Sequence, residues 1–201
     1  MSKRLCSTFV TILALALPMY LAQESKEIHR MFVQLNQPET SDAAANQIVG
    51  RVEKGAVADR DYVVERLPGM IDKPMRDKVW SNAVLLAGSL KAASAIPSLI
   101  RVLPTTPFQS PVTMPFADDL TLQYDPVGAA LKEMGDTALP EIVKLLEHGD
   151  RTTRIRAARI LWNIDSAASR KALRDDLDRE TDPVIKKLTA GKSVPPSNQS
   201  K

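Results

Sequence analysis

Apolar residues recur along most of the chain at the spacing of a helix. Ile28, Met31, Phe32 and Leu35 fall at i, i+3, i+4 and i+7, which places them on one helical face. This helix should end near Asn36, ahead of Pro38. A second helix is expected from Ser41 to about Lys54, N-capped by Ser41 or Asp42, with Ala44, Ile48 and Val52 inward and Gly55 as its stop. Asp59 is placed to cap a third, from Tyr62 to Leu67, which Pro68-Gly69 kinks or breaks.

From Arg76 the pattern becomes a repeat. Segments 79–90, 123–134 and 153–164 align so that Ala83, Val127 and Ala157 share a column, as do Leu86, Ala130 and Ile160. Ala87, Leu131 and Leu161 form the next column, and Leu90, Met134 and Ile164 the last. A second helix follows each copy, with columns Leu99, Ile142, Leu173 and Leu103, Leu146, Leu177. Pro97 and Pro140 stand in first turns, where a missing N–H costs nothing. Asp125-Pro126 and Asp182-Pro183 pair an N-cap with an N1 proline, and Asp150 can cap the third copy. The unit that starts at Asp182 is cut short at Gly191, and the tail 191–201 is too polar and proline-containing to pack.

Thr153-Arg154-Ile155-Arg156-Ala157-Ala158-Arg159-Ile160-Leu161-Trp162-Asn163-Ile164-Asp165 resembles the first helix of a HEAT-type repeat. Ala95-Ile96-Pro97-Ser98-Leu99-Ile100-Arg101-Val102-Leu103 resembles the second, and Gly135-Asp136-Thr137-Ala138-Leu139-Pro140 the turn between them. The resemblance covers Arg76 to about Leu188, departing where Trp80 and Tyr124 replace the Arg matched by Arg154, and where Lys132 and Trp162 replace the Gly matched by Gly88. It implies an all-α fold, an α-α superhelix of HEAT-like helix pairs, over residues 76–190 behind an irregular helical lead-in, 23–75. One such pair cannot bury its own apolar face, so a stack of about three is the minimum.

An insertion, 104–122, separates the first two copies: Leu103 is followed by Gln123 only after a long excursion, whereas Leu146 is followed closely by Thr153. It holds Pro104, Pro107, Pro111, Pro115, Phe108 and Phe116, and its end can form a small β-hairpin, Val112, Met114 and Phe116 facing Leu120 and Leu122. Phe108 and Phe116 are either anchors for a partner or caps on the helix ends.

Lys3-Arg4 followed by an apolar run to Ala22 has the layout of a secretory signal peptide, 1–22; an uncleaved N-terminal anchor is the alternative, and the only route to a membrane. Cys6 is the single cysteine and lies within that segment, so the mature chain would hold no thiol. Loss of Lys3 and Arg4 takes the 27 basic residues to 25 against 24 acidic ones, and the net charge from +3 to +1. That gives nucleic acid no clustered positive face. The expected location is exported, periplasmic or secreted.

Candidate chemistry is sparse. The two histidines, His29 and His148, are far apart in sequence; His148 precedes Gly149 at a helix end and suits a helix dipole, and His29 is expected in solvent. No phosphate loop, Gly-x-Ser-x-Gly or His-Glu-x-x-His occurs. Asp175-Asp176-Leu177-Asp178 lacks the spacing of a calcium loop and reads as a solvated face. Arg151, Arg154, Arg156 and Arg159 read as a basic stripe on an outer face, open to an acidic partner. No catalytic residue, metal ligand or cofactor is assigned. The expected role is a non-catalytic scaffold for another protein, with Arg101, Glu141, Lys144 and Arg174 on its binding face, joined by Phe108 and Phe116 if the insertion binds. A lyase-like enzyme or accessory subunit of the HEAT-like type, and a membrane-tethered structural protein, are the alternatives.

Overall fold

Amphipathic spacing sets the helices, and proline, glycine and aspartate set their ends. The computed structural model describes residues 26–73, 77–106, 122 and 125–193. The apolar N-terminal run, Phe108, Phe116, the hairpin expected around Ala117-Asp118-Asp119 and the tail from 194 lie outside the described residues, among which there is no β-strand. The chain divides into two compact units, Met1–Val63 and Val64–Lys201.

In the first unit, α1 spans 26–35, α2 Ser41–Glu53 and α3 Val57–Val64. Ile28, Met31, Leu35, Ala44 and Ile48 are buried, as the periodicity requires, while Phe32 and Val52 are half-buried and Val63 joins the core. Two of the expected caps are corrected. Thr40, not Ser41 or Asp42, occupies the N-cap of α2 without capping it through its side chain, whose hydroxyl instead donates to Gln34 O at 2.7 Å. Asp59 lies inside α3 and is 4% exposed, because Arg51 Nε reaches its carboxylate at 2.6 Å while Nη1 reaches Glu27 at 2.8 Å. One guanidinium thus joins all three helices. His29 is exposed, as expected, and its Nδ1 lies 2.7 Å from the Tyr62 hydroxyl, while Phe32 meets the Tyr62 ring edge-on.

In the second unit, Pro68 does not break a helix but opens one, α4, Leu67–Ile71. There follow α5 (Lys78–Ser89), α6 (Ile96–Val102), α7 (Pro126–Met134), α8 (Leu139–His148), α9 (Arg151–Ile164), α10 (Ala167–Leu177) and α11 (Pro183–Ser193). Gly191, expected as the last stop, lies within α11. Asp77, Asp125, Asp150 and Ser166 each accept a backbone N–H from the first turn of their helices.

Packing arranges these helices in two rows. α5 contacts α7, α7 contacts α9 and α9 contacts α11; in the other row α4 contacts α6, α6 contacts α8 and α8 contacts α10. Rungs such as α4 with α5, α8 with α9 and α10 with α11 join the rows. The result is an all-α multi-helix bundle whose neighbour-to-neighbour packing is of the helical-repeat kind. The column residues Ala83, Ala87, Val127, Leu131, Ala157, Leu161, Leu99, Ile142 and Leu173 are fully buried, whereas Ile164 and Leu177 are only half-buried.

The backbone carries the same period. Lys91, Gly135 and Asp165, each one residue past the last column, all have positive φ, at 48°, 59° and 54°. Behind Lys91 the chain closes a Schellman pair, Ala92 N–H to Ala87 O and Lys91 N–H to Gly88 O, both at 2.9 Å. Gly88 itself is required for close approach: a Cβ there would stand 2.8 Å from Ala130 Cα, so the absence of a side chain sets the spacing of α5 and α7.

Candidate functional site

Of the four arginines read as a stripe, two are drawn inward, Arg154 is half-buried and Arg151 stays exposed. Arg156 is 1% exposed and Arg159 9%, so the expectation of a solvated basic face is corrected. Arg156 Nε and Nη2 donate to the two carboxylate oxygens of Asp125 at 2.8 and 2.6 Å, while Nη1 donates to Leu103 O and Thr106 O. Asp125 also caps α7 through Gly128 N–H at 2.8 Å. A single guanidinium therefore fastens α9 to the two segments that flank the insertion. A bidentate pair with its remaining N–H group also satisfied is the arrangement that tolerates burial. Such a lock is structural, since none of its polar atoms is presented to a reactant.

Arg154 and Arg151 pair with acids at the last turn. Arg154 Nη1 donates to Glu180 at 2.9 Å, and Arg151 donates to Asp182, which also caps α11. The Glu180 side chain is fully buried; its other oxygen accepts Thr181 N–H and Asp182 N–H, both at 2.7 Å.

Beside this turn lies a cleft of about 230 Å³, lined by Leu146, Glu147 and His148 at the end of α8, Arg154 of α9, Asp176 near the end of α10, and Arg179 and Glu180 beyond it. The expectation that Asp176 sits on a solvated face is corrected here. Three residues beyond buried Leu173, Asp176 is turned inward and is 6% exposed, and its Oδ2 has no hydrogen-bond partner. Burial, reinforced by the neighbouring Glu180 carboxylate, pushes the Asp176 carboxyl above its ordinary value. Its neighbour Asp175 behaves oppositely: exposed and hydrogen-bonded by Lys171, it is held below the ordinary carboxylate value. At the mouth of the cleft Arg179 donates to Glu147 at 3.2 Å, and His148 is 79% exposed.

The sequence-predicted contact residues are distributed along one row. Arg101 lies on α6, Glu141 and Lys144 on α8 and Arg174 on α10. Arg101 pairs with Asp72 at 2.9 Å, Lys144 with Glu141 at 2.6 Å, and Arg174 is exposed. None of the four lines the cleft around Asp176.

A larger hollow of about 430 Å³ in the first unit is lined by Arg51, Lys54, Gly55 to Ala58 and Asp59. The charges of Arg51 and Asp59 are already spent on one another there. Among the described residues, no group of three or more His, Cys, Asp or Glu is arranged to hold a metal ion, and no helix is long and apolar enough to cross a membrane.

Fold and site together define the class, an all-α multi-helix protein with helical-repeat packing. No family model, curated protein or solved structure matches the chain.

Proposed function

We propose that this chain is a non-catalytic interaction scaffold built from HEAT-like helix pairs and acting outside the cytoplasm, with another protein as its partner. The observation that carries this reading is the placement of Arg101, Glu141, Lys144 and Arg174 on three successive helices of one row, α6, α8 and α10. Stacked second helices of this kind offer a continuous surface. Their present ion pairs are solvent-facing, and such pairs contribute only about 0–1 kcal/mol. A partner can exchange them at little cost. The segments that resemble HEAT-type helices fall on α6 and α9, and the Gly135-to-Pro140 segment forms the turn before α8. The lead of Lys3-Arg4 and an apolar run to Ala22 supports export.

The test is site-specific photo-cross-linking in the exported fraction, with the reactive group placed at Lys144 and Arg174 of the one row and at exposed Leu85 of the other. One discrete protein adduct at the first two positions and none at Leu85 is expected. Equal labelling at all three, or turnover of a small molecule with no adduct at any of them, overturns the reading.

A further inference from the structure

We infer that the turn 177–182, between α10 and α11, is an acid-operated latch: it holds α11 against α9 and α10 while Asp176 is protonated, and loosens that helix as Asp176 ionises. Asp176 is badly placed for a charge. It stands in the last turn of α10, beside the carbonyls of a helix C-terminus, which disfavour an anion. Its Oδ2 is closed to solvent and accepts no hydrogen bond. An ionised Asp176 therefore regains full hydration only when the turn opens, whereas a neutral carboxyl in the same place costs far less to bury.

The charged groups around Asp176 do not cancel this cost. α8 presents Glu147 and the exposed His148, α9 presents Arg154, and the turn itself presents Arg179 and Glu180. On α11 the described charged side chains, Lys186 and Lys187, are exposed. Both guanidiniums are engaged elsewhere, Arg154 by Glu180 at 2.9 Å and Arg179 by Glu147 at 3.2 Å. Burial raises the Asp176 carboxyl, Glu180 and Glu147 add to that, and Arg179 and Arg154 offset it only in part.

The same turn couples Asp176 to α11. The Asp176 backbone carbonyl accepts Arg179 N–H and Glu180 N–H, both at 2.9 Å. The Glu180 carboxylate accepts Thr181 N–H and Asp182 N–H, and Asp182 caps α11 through Val184 N–H at 2.8 Å. Repulsion between the Asp176 and Glu180 carboxylates thus acts on the residues that seat α11, which packs on α9 and α10. That helix is thinly held: among its described side chains only Ile185 is fully buried, and Val184 is 40% exposed. A segment with so little burial opens before the rest of a stack.

The test is amide hydrogen exchange on the full chain from acid to neutral pH, with each rate corrected for its intrinsic pH dependence. The Lys186 amide, bonded to Asp182 O at 2.9 Å, reports on α11. Its protection should be level at acid pH. It should then fall by about tenfold for each pH unit between the value of Asp176 in the open turn and its raised value in the closed one, because the open turn binds fewer protons there. Amides of α5 should keep theirs. Asp176→Asn should abolish the fall, whereas Asp175→Asn, on the exposed neighbour, and His148→Gln should retain it. The same fall in Asp176→Asn, its loss in His148→Gln, an equal fall in α5, or protection of α11 that rises with pH would each overturn the latch. No partner protein enters this measurement, so it and the cross-linking at Lys144 succeed or fail independently.

Discussion

Arg156 and Arg151 carry the same charge on the same helix and have opposite energetic weight. The Arg156 pair with Asp125 is 1% exposed on both sides, whereas the Arg151 side chain is 61% exposed. Arg156→Ala strips the buried Asp125 carboxylate of its cation and of both guanidinium donors, leaving it Gly128 N–H, and takes the guanidinium from Leu103 O and Thr106 O, so it should lower unfolding free energy by about 3–5 kcal/mol in urea titration. Arg151→Ala should cost no more than about 1 kcal/mol. Equal effects would mean that the lock is not made. Asp176 gives a second residue-scale prediction, in pH. Its folded-state value is raised above the unfolded one, so what it contributes to stability is fully present below 3.8 and is lost as pH rises through the raised value. Asp176→Asn should therefore match the wild type at acid pH and exceed it in urea midpoint at neutral pH. A wild type that gains on its variant as pH rises would reverse the sign.

At the scale of elements, the three positive-φ residues that end α5, α7 and α9 differ in chemistry. Gly135 adopts its φ without a Cβ penalty, while Lys91 and Asp165 carry one. Lys91→Gly should stabilise the chain by about 1 kcal/mol, the left-handed cost relieved less the extra freedom gained by the unfolded state, as read from the thermal midpoint. A fall in midpoint would show that the Lys91 turn is held by its side chain. This position also marks what the sequence could not reveal. Buried columns such as Ala87, Leu131 and Leu161 were legible because burial writes a period into the chain. Lys91, Gly135 and Asp165 share only a backbone angle, which leaves no common residue type. Arg156 and Asp176 read as solvent-facing only while charge is weighed above position. Arg156 stands four residues before Ile160 and Asp176 three after Leu173, spacings that place both beside the core. Arg156's partner, Asp125, is 31 residues away in sequence, beyond the reach of any local pattern. The proline and aspartate caps at Asp125, Asp150 and Asp182 were readable because capping is a local event.

Considered as a whole, the second unit depends on contact between neighbours rather than on a central core, since each helix of a row touches the next in that row. The scaffold reading requires this, because a surface spread over α6, α8 and α10 keeps its geometry only if the rows hold together. Leu161 of α9 is fully exposure-free at 0%, and Trp80 lies in α5, with α7 between the two helices. Trp80 is itself tied to α4 by an Nε1–H bond to Ile71 O at 2.9 Å. The decisive measurement is equilibrium unfolding of Leu161→Asp in a Trp162→Phe background, followed by far-ultraviolet circular dichroism and by Trp80 fluorescence. A mutually supported stack predicts that both signals lose their cooperative transition together, although the substitution lies two helices away from the tryptophan. A native-like melt, or a Trp80 transition unchanged while the helical signal collapses, would contradict it.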